Sequence, residues 1–81
     1  MKALVEHVVR GLVSRPEAMV VNAVEGDASI LLELSVAPED LPRVKGPGGD
    51  TLRAIRTVLS AAAGRRKAVL ELLEPRSDGE E

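Results

Sequence analysis

The residues with the clearest chemical potential in this 81-residue chain lie in the stretch Arg43-Val44-Lys45-Gly46-Pro47-Gly48-Gly49-Asp50-Thr51. Three glycines within four positions remove the β-carbons that would hold a partner away from the main chain. An amphipathic helix pattern begins at once, from Asp50 or Thr51, and the first N–H groups of a helix lack intrahelical partners. Those donors and the positive end of the helix dipole suit an anion such as a phosphate. Arg43, Lys45, Arg53 and Arg56 surround the segment with positive charge. The competing reading is a tight turn, because Pro47-Gly48 is a strong type II turn signal. Asp50 favours that reading, since an aspartate there can cap its own helix and occupy the donors that a phosphate would use.

Other chemistries find little support. There is no cysteine and His7 is the single histidine, so no thiolate or multi-histidine metal site can be built. The glycine loop lacks the Lys-Ser/Thr of a phosphate-binding P-loop, and no nucleophile stands with a base. A binding protein without metal or cofactor is expected, not an enzyme. The absence of Phe, Trp and Tyr excludes modules that stack bases on aromatic rings. Any nucleic acid must then be held by backbone groups, aliphatic surface and cations.

The net charge of −2 conceals a strong segregation. Residues 1–42 and residues 68–81 each sum to −4, whereas residues 43–67 sum to +6, with Asp50 their only acid. Phosphate attraction follows such local potential as well as the total. No run approaches the ~20 apolar residues of a membrane span. Glu6, His7 and Arg10 interrupt the N-terminal apolar stretch and argue against an export signal, so a cytoplasmic location is expected.

The elements that must position the glycine loop can be read from periodicity. Leu4, Val5, Val8, Val9, Leu12 and Val13 predict a helix over about 2–14, ended by Pro16. Strands are expected at Met19–Glu25 and Ser29–Val36, joined as a hairpin through Gly26-Asp27-Ala28. In the second strand Ile30, Leu32, Leu34 and Val36 share one side. Pro38-Glu39-Asp40-Leu41 reads as a helix start that Pro42 limits to a short turn. A longer helix then runs from the loop to about Ala63, is stopped by Gly64, and is followed by a strand at Ala68–Leu73. The fold class is α+β, ordered α-β-β-α-α-β. Its three-stranded mixed sheet has helices on one face and Val20, Val24, Leu31, Val69 and Leu73 exposed on the other. From Pro75 an acidic, disordered tail is expected.

On the long helix, Leu52, Ile55, Leu59 and Ala62 form the expected core face. Ala54, Val58 and Ala61 widen the apolar arc to about 200°, beyond the ~100° that one-sided packing needs. Additional contact with the first helix or a helix-to-helix dimer would account for the surplus.

A helix, a hairpin, then helix–GxxG–helix–strand resembles a type II KH domain, with the motif standing as Gly46-Pro47-Gly48-Gly49. VEHVVRGLVSRPE, the VEG turn, LELSVAPEDL and AIRTVLSAAA make residues 1–74 similar to the small bacterial single-KH proteins of the KhpA family. The resemblance implies a single-stranded RNA-binding protein and RNA chaperone. It also implies self-association, a Jag-type (KhpB-like) KH-containing partner, and links to cell-wall homeostasis and cell shape. Carried onto this chain, the RNA-binding residues are Arg43, Val44, Lys45, Gly46, Pro47, Gly48, Gly49, Thr51 and Arg53, with aliphatic contacts from Val36 and Leu41. The dimer would use Ala54, Val58 and Ala61. Three departures weaken the match at the loop. Pro47 and Gly48 stand where the family usually carries a lysine or arginine, Lys45 replaces an aliphatic residue, and Asp50 occupies a commonly basic position. A KH fold that has kept protein interaction while losing RNA grip is therefore the alternative.

Overall fold

The structure, a computed structural model, describes residues 1–74; the tail expected from Pro75 onward lies outside them. Its order is α1 (Lys2–Arg10), β1 (Val20–Glu25), β2 (Ser29–Ser35), α2 (Leu41–Lys45), α3 (Asp50–Ala63) and β3 (Lys67–Leu72). Short 3-10 turns at Pro16–Ala18, Pro38–Asp40 and Pro47–Gly49 connect them. The sheet order is β1-β2-β3, with β1 antiparallel and β3 parallel to the central β2. This is the expected mixed α+β arrangement.

Alternation explains why β2 is central. Ile30, Leu32 and Leu34 are completely buried under the helices, each stabilising the fold by about 2 kcal/mol. Val5 and Val9 of α1, Val44 of α2, Leu52, Ile55 and Leu59 of α3, and Leu70 of β3 close the core over them. On the other face, Val24, Leu31 and Val69 align across the three strands and remain exposed, as expected. No helix of the described residues is long and apolar enough to cross a membrane.

Four local expectations require correction. The first helix ends at Arg10, not near residue 14: Gly11 weakens it, and Gly11, Leu12 and Val13 only close a last turn onto the Val8 and Val9 carbonyls. Ser14 and Arg15 give their N–H groups to the Asp40 carboxylate, at 2.9 and 3.1 Å, which draws the chain off the helix axis. Pro42 starts α2 instead of limiting it: in the first turn its missing N–H costs nothing, and the helix runs on to Lys45. On α3, Ala63 and not Ala62 completes the core stripe of Leu52, Ile55 and Leu59. Val36 and Val44 belong to the core: Val44 is wholly buried, and Val36 shows only an edge at a shallow cleft.

Candidate nucleic-acid interface

The turn between α2 and α3 is built from backbone conformations that favour glycine. Gly46 closes α2 at φ 75°, with its N–H on the Pro42 carbonyl at 2.9 Å. The Gly46 carbonyl accepts from the Gly49 N–H at 3.0 Å, and Gly48 between them lies at φ 62° and ψ 16°. That is the left-handed third position of a type II turn, as Pro47-Gly48 predicts. Gly49, at φ 80°, is left-handed as well and leads into α3.

The glycines face different surroundings. A β-carbon on Gly46 would lie 2.2 Å from Thr51 Oγ1 and 2.8 Å from its backbone nitrogen. Gly46 and Thr51 therefore form a closed internal contact. Among the described residues a β-carbon on Gly48 would meet nothing within 4 Å, and one on Gly49 only the Arg53 guanidinium at 3.9 Å. The main chain is open to close approach at Gly48 and Gly49. Among the described residues no side chain caps the N-terminus of the 14-residue α3, and its first N–H, of Asp50, closes on the Pro47 carbonyl.

Asp50 does not act as the expected cap. It is the first residue of α3, past the capping position, and its Oδ1 accepts from Arg53 Nη1 at 2.8 Å. Arg53 also donates through Nη2 to the Gly48 carbonyl at 3.1 Å, tying the first helical turn to the loop. Lys45 pairs with Glu74, just beyond β3. Arg56 spends its Nε–H on the Leu70 carbonyl at 3.2 Å and is drawn toward the sheet. Arg43 is exposed and forms no ion pair among the described residues. Of the expected RNA-binding residues, Pro47, Gly48 and Gly49 form the open side of the turn, Arg53 contacts it, and Arg43 and Lys45 lie on α2 just before it. Gly46 and Thr51 form its underside, and Val44 is wholly buried beneath.

Sequence reasoning missed the importance of Asp40, reading it only as an acid favouring a helix start. It is completely buried, and its carboxylate accepts from the Ser14 N–H, the Ser14 hydroxyl at 2.8 Å and the Arg15 N–H. The Ser14 N–H is the main reason that its pKa lies below the ordinary aspartate value; burial opposes the shift. The Ser14 hydroxyl, the Arg15 N–H and the charge of Arg43 reinforce it. Nothing in the sequence separates Asp40 from the neighbouring exposed Glu39, because the donors arrive from 25 residues away.

The expected dimer residues Ala54, Val58 and Ala61 are all exposed, Val58 by 50%. Ala54 and Val58 also line an apolar groove of about 220 Å³ whose opposite wall is Leu4 and Val8 of α1 and Leu12 just after it. The sequence placed that surface on the long helix alone; the packing of α1 against α3 extends it. Among the described residues no three His, Cys, Asp or Glu side chains could share a metal ion.

The family model for the KhpA/KhpB KH domain matches residues 2–72. The chain is 48% identical over 75 residues to "RNA-binding protein KhpA" of Clostridium perfringens, covering 90% of this chain and all of that protein. Its namesake in Clostridium acetobutylicum is 44% identical over the same shares of the two chains. The Chlamydia pneumoniae protein of that name is 38% identical over 91% of this chain and 97% of its own. No solved structure matches the chain significantly. The glycine turn between α2 and α3, the mixed sheet behind it and a match over nearly the whole length agree: the chain belongs to the KhpA/KhpB KH-domain family.

Proposed function

We propose that residues 1–74 act as one unit that binds single-stranded RNA at the rim formed by the Gly46–Gly49 turn and the N-terminus of α3. The observation that carries this reading is the open main chain at Gly48 and Gly49, set beside Arg53 and a helix start with no side-chain cap, with Arg43 and Lys45 on the helix before it. The names of the relatives support the same ligand. Without aromatic rings, affinity rests on main-chain donors and phosphate contacts, so binding is weak. With about three phosphates engaged, log affinity against log salt should have a slope of about −2, at ~0.7 per phosphate for single strands. Gly48→Asp is the direct test. Its carboxylate would meet open space in the protein and face an incoming phosphate, so binding should be lost with the fold kept. RNA titration that finds Gly48→Asp as competent as the unmodified chain would remove the reading.

A second reading, self-association, is favoured by the exposed Val58 beside the α1–α3 groove. Val58→Glu should yield a folded monomer in sedimentation experiments; an unmodified chain that is monomeric at high micromolar concentration would overturn it. In its fullest form the proposal is a cytoplasmic RNA chaperone with a Jag-type (KhpB-like) partner, serving cell-wall homeostasis and cell shape. Co-purification with such a partner, and strand-annealing assays with it, would test that role.

A further inference from the structure

The cations nearest the open turn are already engaged within the chain. Arg53 is held by Asp50, its neighbour one helical turn away, whereas Lys45 is held by Glu74 from the far end of the sheet. The backbones on both sides of this second pair are anchored. Lys45 ends α2, where the Gly46 N–H closes on the Pro42 carbonyl at 2.9 Å. Glu74 follows Leu73, whose N–H bonds the Leu34 carbonyl at 2.8 Å and extends the β3 ladder past Leu72. The side chains nevertheless remain 42% and 49% exposed, so water or another anion can take the place of either partner. Glu74 also lines a shallow cleft with Ser35, Val36, Pro38 and Leu73, at the end of the central strand.

We infer that Glu74 sets the RNA affinity of this interface by holding Lys45 until a phosphate displaces it. The inference rests on the RNA-binding reading above. In the free protein the Glu74 carboxylate occupies the place on Lys45 that a phosphate oxygen would take. RNA must break that pair and then tolerate a carboxylate on the cleft wall. The pair removes about one unit of charge from the attractive rim, and its weakness as an exposed contact keeps the block reversible.

Fluorescence anisotropy with a labelled short oligouridylate, at several salt concentrations, tests the inference on the full chain and on Glu74→Gln, Lys45→Gln and the double variant. Glu74→Gln should bind roughly two- to fivefold tighter, the range expected for freeing one exposed ion-paired lysine. Its salt slope should stay at about −2, because Lys45 meets the same phosphate in the bound state of both chains. The same change should give no gain when Lys45 is already glutamine. Equal affinity of Glu74→Gln and the unmodified chain would overturn the inference and leave RNA binding standing. A gain that persists without Lys45 would also overturn it, because general repulsion would then be the cause. If neither the unmodified chain nor Glu74→Gln binds at low salt, the RNA reading fails and the inference fails with it.

Discussion

The underside and the rim of the interface use the same functional groups to opposite ends. Below, Asp40 is buried with three donors on its carboxylate, and Gly46 is closed against Thr51. Above, Asp50 and Glu74 pair with exposed cations, and Gly48 and Gly49 border open space. The buried carboxylate holds three donors at once on a side chain fixed by packing, so its contacts are lasting parts of the fold. An exposed carboxylate can leave its cation because water and other anions replace it at little cost. Solvent access, not residue type, separates a structural aspartate from an exchangeable counter-ion.

The contrast predicts unequal mutational costs. Gly46→Ala should be the most damaging, destabilising the chain by roughly 3 kcal/mol through positive φ and the clash with Thr51. Denaturant unfolding would measure this, and a loss below about 1 kcal/mol would show that the underside is as yielding as the rim. Asp40→Ala should lower the thermal midpoint by on the order of 10 °C, through the loss of a buried side chain and its three hydrogen bonds.

Asp40 also gives stability a pH dependence. Because its folded pKa lies below the ordinary value of about 3.8, its stabilisation is present above that pH and disappears as the pH falls through the lowered value. Melting curves across this window should show the unmodified chain losing that increment and Asp40→Ala losing none of it. At the open end of the turn, Gly48→Ala should cost only about 1 kcal/mol, the left-handed backbone penalty without a clash. Asp50→Asn should have the smallest effect, about 0.5 kcal/mol of stability from the first-turn charge. By freeing Arg53 it should tighten RNA roughly two- to threefold. Unchanged RNA affinity in Asp50→Asn would mean that the rim pairs do not exchange with phosphate.

Much of the frame was legible from local patterns. The alternation of Ile30, Leu32 and Leu34, the helix from Asp50 to its stop at Gly64, and the type II turn at Pro47-Gly48 each follow from sequence neighbours. Other features depended on partners remote in sequence. Asp40 took donors from Ser14 and Arg15, Val44 sank beneath the loop it seemed to serve, and Glu74 reached Lys45 from beyond β3. The physical reason is range. Periodicity, glycine torsions and proline positions act over a few residues, and the amino-acid order by itself determined them. The distribution of buried space, and the choice of cation for each carboxylate, depends on how β2, the α2–α3 pair and β3 pack, and only the tertiary structure decided it.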